Sequence, residues 1–185
     1  VASFLAGPLA LAAVALTSAP AARAQCPATE LATGLQLPLG ITQSNRDNLI
    51  VAETGTSEPN TGRISIFDLD GDRRTLLDGL PSGLNDIREP SGPAGLFLRG
   101  RTLYVLIGIG DAVIAGAIPT THLPNPDPPS SPLFASVLAV KFSTHAENIT
   151  EGFTLSIDDH EALADGERLK LSNGGGDKAT VELIA

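Results

Sequence analysis

The sequence predicts an all-β protein built from two four-stranded antiparallel meanders. Three observations carry that expectation. Residues 38–77 hold four short apolar runs, 40–42, 49–52, 64–67 and 75–77, separated by clusters of Asn, Asp, Gly and Thr. Such punctuation marks strands joined by tight turns, because these residues supply the backbone angles that turns need. A weaker copy of the pattern begins at Pro93, 55 residues after Pro38. Finally, 19 glycines and 14 prolines with 4% aromatics, and neither Met nor Trp, fit a turn-rich β chain.

Taken in order, residues 1–24 are almost wholly small or apolar and end in Ala22-Arg23-Ala24, an A-x-A pattern before Gln25. They read as a secretory leader. A spanning helix is disfavoured, since Gly7-Pro8 breaks the run and the remainder is too short to cross a bilayer. The expected location is secreted or periplasmic, with no membrane span in the mature chain. Cys26, the one cysteine, reads as a free thiol or as one whose partner lies outside these residues. Arg23 and Gln25 before it do not suit a lipidation box.

In the first copy, Ile64 and Ile66 share a face of their strand, and Asp70-Gly71 is a favoured hairpin turn. The run from Asp68 to Asp72 resembles the opening of a calcium loop. Arg74 and Gly79 then stand where such a loop requires Gly and Glu, so turn chemistry is the reading and no metal is expected. A single sheet of this kind cannot bury both faces and needs copies stacked alongside.

In the second copy, Pro93-Ala94-Gly95-Leu96 answers Pro38-Leu39-Gly40-Ile41, residues 103–108 answer 49–53, and 137–142 answer 63–67 with Val137 against Arg63. A long insertion separates its second and third strands. Within it, residues 119–132 carry six prolines, which exclude helix and central strand and predict an extended, projecting loop. Asn148-Ile149-Thr150 fits a glycosylation sequon, expected to be unmodified. Asp158 three residues before Glu161 predicts a capped short helix that stops at Gly166. Leu169 and Leu171, a Gly-rich turn at 173–177, then Ala179, Val181 and Leu183 predict a hairpin whose second arm is an outer strand.

The run Pro38-x-Gly40-Ile41, Asn48-Leu49-Ile50-Val51-Ala52-Glu53, Gly62-Arg63-Ile64-Ser65-Ile66-Phe67-Asp68-x-Asp70-Gly71 is similar to an NHL-type propeller blade. Residues 91–95 with 102–110 resemble the ScyD/ScyE family of secreted bacterial β-propeller proteins. The resemblance implies a propeller domain over 25–185, as about two four-stranded blades of a larger, incomplete ring. Blade one would span about 35–80 and blade two about 91–185 with insertions. Propellers close with typically 4–8 blades, so these residues read as part of a longer protein, or of a ring completed by another chain.

For function, a net charge of −9 argues against nucleic acid and anionic membrane surfaces. The sequence has no nucleophile elbow, metal-spaced His/Cys set, Walker loop or dinucleotide fingerprint. Gly108-Ile109-Gly110 is a bare Gly-x-Gly. Three residues are candidate ligand contacts. Glu53 ends the second strand near the loop face; its alternative role is to bond the turn amides of Thr54 and Gly55. Asp86 and Arg88 lie with Glu89 on the link 80–92, which in propellers often borders the ligand-binding face. The expected function is an exported binding or scaffold protein for a small-molecule or protein ligand, with the cofactor left open. The alternative is a propeller enzyme of the calcium-dependent lactonase or quinone-dependent sugar dehydrogenase type, acting on a small extracellular substrate. A third reading is an assembly module working through 119–132.

Overall fold

The computed structural model describes residues 30–185; the expected leader (1–24) and Cys26 lie outside the described residues. Among the described residues the chain is all-β apart from one short α-helix and two 3₁₀ turns. It begins with β1 (Pro38–Gln43), β2 (Leu49–Glu53), β3 (Gly62–Phe67) and β4 (Arg73–Leu80), then a small hairpin of β5 (Gly83–Leu84) and β6 (Pro90–Ser91). Next come β7 (Pro93–Arg99), β8 (Thr102–Ile107), a second small hairpin of β9 (Val113–Ala115) and β10 (His122–Pro124), and β11 (Val137–Phe142). The chain finishes with β12 (Phe153–Thr154), α1 (Ile157–Ala164), β13 (Leu169–Ser172) and β14 (Lys178–Leu183).

These elements form two five-stranded sheets. Sheet one has the order β1-β2-β3-β4-β12 and sheet two β7-β8-β11-β14-β13. All pairs are antiparallel except β12, which returns from the far end of the chain to lie parallel to β4. That return laces the sheets together, and nothing in the short Phe153-Thr154 segment signals it. The 169–183 hairpin forms as expected, but its two arms are the fourth and fifth strands of sheet two, β13 lying outside β14. The proline-rich loop is partly ordered as β10, an exposed edge strand where missing N–H groups cost nothing.

One face of each sheet builds the core. Ile50, Ala52, Ile64 and Ile66 from sheet one join Leu103, Val105, Ile107, Leu138 and Val140 from sheet two in one buried cluster. Each of the Ile, Leu and Val side chains among them contributes about 1.5–3 kcal/mol on burial. The two sheets meet most closely at β1 and β7. A Cβ on Gly40 would lie 2.6 Å from the Ala94 carbonyl oxygen, so only glycine lets these backbones approach.

The register corrects one expectation. Gly40 faces Ala52 and Ala52 faces Ile64 in sheet one; Gly95 faces Leu106 and Leu106 faces Val137 in sheet two. Val137 therefore occupies the place of Ile64, not of Arg63. Strand side chains alternate, so that single step decides which face each residue of β11 takes. Leu138 and Val140 point into the core, while Val137 and Ala139 lie on the opposite face.

Four turns share one design. In residues 44–48, 68–72, 85–89 and 173–177 the first residue's N–H donates to the carbonyl of the fifth, and the fourth residue's N–H donates back to the carbonyl of the first. The side chain of Ser44, Asp68, Asn85 or Asn173 accepts a further backbone N–H. The fourth residue is left-handed in each: Asp47, Gly71, Arg88 and Gly176. The Asp68 turn is thus closed by its own carboxylate, with Asp70 and Asp72 exposed.

Candidate functional site: a cleft beside the 85–89 turn

Glu53 is fully buried at the end of β2, and both of its oxygens are engaged. Oε2 accepts the Gln36 N–H (2.8 Å) and an Arg63 Nη2–H (3.1 Å); Oε1 accepts the Ser65 hydroxyl (2.5 Å) and pairs with Arg73. Arg73 also donates to the Gly34 carbonyl (3.1 Å) and lies over the Phe67 ring. The neighbouring turn amides go elsewhere, Thr54 N–H to Leu37 O and Gly55 N–H to Gln36 O. Glu53 therefore fastens residues 34–36 onto sheet one and presents no oxygen to a ligand. Burial pushes its carboxyl upward. The Arg63, Gln36 and Ser65 hydrogen bonds and the Arg63 charge outweigh that and hold it below the ordinary 4.5.

Asp86 and Arg88 are placed together. Both sit on the tip of the β5–β6 hairpin and line a cleft of about 360 Å³, closed on its other side by Asp111, Val113, Ile114, Ala115 and Asn125. Asn85 shapes the tip by accepting the N–H groups of Ile87 (3.1 Å) and Glu89 (2.9 Å). Arg88 takes the left-handed position of the turn, with φ of +64°. In the turns at 68–72 and 173–177 a glycine stands there. A side chain with a Cβ in that conformation costs about 1–2 kcal/mol relative to the right-handed regions, and such strain is concentrated at functional sites.

Other polar groups of the cleft already have partners. Asp111 accepts the Ser130 N–H with both oxygens (3.1 and 3.0 Å). Asn125 donates to the Asp111 carbonyl (2.7 Å) and accepts the Asp127 N–H (3.1 Å). Asp86 Oδ2 pairs with His122 Nδ1 at 2.9 Å, which ties β10 to the hairpin tip. Among the described residues the Arg88 guanidinium makes no ion pair, and Asp86 pairs through Oδ2 alone, with its side chain 9% exposed. The cleft thus offers one cation, one carboxylate oxygen outside the His122 pair and an apolar wall from Leu84, Val113 and Ile114.

A second cleft of about 360 Å³ shares Asn85 with the first and is lined further by Leu37, Leu39, Thr54 and Pro90. Sequence reasoning missed Asp111, Asn125 and the His122 partnership. They come from the long insertion, and only the β9–β10 pairing brings that insertion back over the hairpin tip. The bare Gly108-x-Gly110 before Asp111 was the one local sign, since Gly110 is left-handed where it packs on the Phe134 ring.

Among the described residues no three His, Cys, Asp or Glu side chains converge as a metal site, and no helix is long and apolar enough to cross a membrane. No protein-family model matches the chain, and neither the curated proteins nor the solved structures contain a match.

Proposed function

We propose that the chain is an exported, propeller-type binding protein that takes a small anionic, hydroxyl-bearing ligand in the cleft at Asp86 and Arg88. The ScyD/ScyE-like and export readings rest on sequence motifs. The propeller reading is supported by one observation above all: the same irregularity recurs in both sheets. The pairing of β1 with β2 slips between Pro38 and Gly40, and that of β7 with β8 slips identically between Pro93 and Gly95. A bulge in the same register of two sheets is the mark of one repeated unit.

The ligand class follows from the open groups. A guanidinium recognises a carboxylate or phosphate through paired N–H donors, Asp86 Oδ1 accepts from a hydroxyl, and the apolar wall shields both from water. The strained backbone at Arg88 makes the test specific. Arg88→Gly removes the guanidinium while relieving the left-handed strain, so stability should rise by about 1 kcal/mol. Binding should fall in the same variant, the opposite sign to a mutation that merely damages the fold. A panel of sugar acids and sugar phosphates, screened by thermal shift and then calorimetry, reads both quantities. No panel member stabilising the wild-type chain, or equal stabilisation of Arg88→Gly, would sink the assignment.

A further inference from the structure

Resting on the reading of the Asp86–Arg88 cleft as a ligand site, we infer that the same cleft hydrolyses carboxylic esters of anionic molecules, with His122 as general base and Asp86 as its positioning residue. The argument begins from the β9–β10 ladder. His122 lies directly opposite Ala115, so the two side chains leave the same face of that hairpin. Val113, two residues before Ala115, shares the face. Val113 and Ala115 both line the cleft. His122 therefore stands on the cleft side of the hairpin, at its rim, and Asp86, another lining residue, meets it at 2.9 Å. Both ends of this contact are held. The Gly116 N–H donates to the Thr121 carbonyl (2.8 Å) and the Asn125 N–H to the Ala112 carbonyl (2.9 Å), which brackets β10. Asn85 fixes the turn that carries Asp86.

The pair has the polarity of a general base. The Asp86 side chain is 9% exposed and that of His122 55%. A carboxylate oxygen accepts, so Nδ1 carries the proton and Nε2 the lone pair. The sheltered carboxylate also stabilises the imidazolium formed when Nε2 takes a proton. His160 is arranged otherwise. It is fully buried, its Nε2 engaged by the Gly79 carbonyl and its Nδ1 by Ser131, which leaves no nitrogen for a substrate.

The reaction class follows from what lines the cleft. No Ser, Thr or Cys is among its lining residues, so the nucleophile is water. His122 Nε2 takes a proton from that water, the water oxygen bonds to the ester carbonyl carbon, and the carbonyl π pair moves onto its oxygen. The tetrahedral intermediate then collapses. Its C–O bond to the alcohol breaks, and the departing oxygen takes the proton back from Nε2. One acid and one alcohol result, and water is the only co-reactant. Arg88 anchors an anionic group elsewhere in the substrate, and its charge favours the negative charge that develops on the carbonyl oxygen. Leu84, Val113 and Ile114 receive the carbon skeleton.

The test is initial-rate hydrolysis by the full chain of the mono-para-nitrophenyl ester of succinate, against neutral para-nitrophenyl acetate. The wild type should saturate with the succinate ester and prefer it at least about tenfold in kcat/KM. His122→Gln should lower kcat/KM about a hundredfold or more. Asp86→Asn should lower kcat about a hundredfold with KM little changed, as a positioning role requires; this probe carries no hydroxyl for Asp86 to bind. Arg88→Gly should raise KM for the succinate ester and erase the preference. His145→Gln, at the other exposed histidine, should leave the rate as it is. Circular dichroism checks that each variant folds. An ion pair with one exposed partner contributes little to stability, so His122→Gln should keep the wild-type urea midpoint. No hydrolysis by the wild type, a rate shared equally with His145, or a rate indifferent to Asp86→Asn would overturn the inference. A chain that binds sugar acids in the cleft but hydrolyses neither ester would end this inference alone and leave the proposed function standing.

Discussion

Glu53→Gln should cost about 3 kcal/mol of folding stability, near the low end for breaking a buried ion pair because its partners keep some water. The side chains of Arg63 and Arg73 are 24% and 25% exposed. The substitution preserves shape but removes the charge that both guanidiniums face, and it leaves Ser65 and the Gln36 N–H with a weaker acceptor. Urea unfolding measures the loss. Register supplies a control: the place of Glu53 in sheet two is held by Ile107 and that of Ser65 by Leu138, both buried apolar residues. The polar cluster is therefore a local replacement for an apolar one. Glu53→Ile combined with Arg63→Leu and Arg73→Leu should recover most of the stability lost by Glu53→Gln, since well-packed apolar groups often match a buried ion pair. A Glu53→Gln variant as stable as the wild type would show that the cluster is not fastening residues 34–36.

The sign of the pH dependence follows from the direction of the shift. The folded carboxyl is held below 4.5, so as pH falls the unfolded chain takes up a proton first. The contribution of Glu53 is complete above the unfolded value and is lost as pH drops through the folded one. Glu53→Gln should make this acidic limb shallower, with Glu147, whose carboxyl is also held below 4.5, accounting for part of what remains.

Strand runs were legible because their cause is local. Ile64 and Ile66 alternate with Ser65 and Phe67, and Pro, Gly and Asn bound each run, so β1 to β4 and the 169–183 hairpin follow from period and turn chemistry alone. The short helix was legible too, but its cap lies two residues earlier than Asp158. Ser156 Oγ accepts the Asp159 N–H, and the Asp159 carboxylate accepts the Ser156 N–H, so Asp159 closes the capping box in place of Glu161. The one-residue error in β11 has a different origin. Val137-Leu138-Ala139-Val140 is apolar on both faces, so period two has nothing to grip, and only cross-strand pairing decides which face is inside. The candidate cleft was half legible. Asp86 and Arg88 stand on a link whose turn residues announce it, whereas Asp111, Asn125 and His122 arrive through contacts across a long insertion. Local pattern carries no information about such contacts.

His160→Ala should cost about 3 kcal/mol or more, because it strips partners from two buried polar groups and leaves a cavity. His160 is fully buried on α1. Its Nε2 lies 2.8 Å from the Gly79 carbonyl and must carry the proton; Nδ1, 3.0 Å from the Ser131 hydroxyl, is then the acceptor. The ring so joins three distant segments: the helix, the end of β4, and the close of the proline-rich insertion. Gly79 is itself fixed, with φ of +71° and a would-be Cβ 2.1 Å from the Leu155 carbonyl oxygen, so the acceptor cannot drift. Burial pushes His160 below its ordinary 6.5, against the opposing pull of the Gly79 carbonyl and of Asp159. The neutral ring is the folded form, so the unfolded chain binds the proton first as pH falls. The stabilisation is complete above the unfolded value, declines below about 6.5, and is lost through the depressed folded value. The loss for His160 thus sets in at a higher pH than the loss for Glu53, which begins below 4.5. In denaturant titrations taken across pH, His160→Gln should remove the loss that begins near 6.5, and Glu53→Gln should reduce the loss that begins below 4.5. A wild-type profile without an upper limb, or one that survives in His160→Gln, would remove the ring from its place as the joint between helix, sheet and insertion.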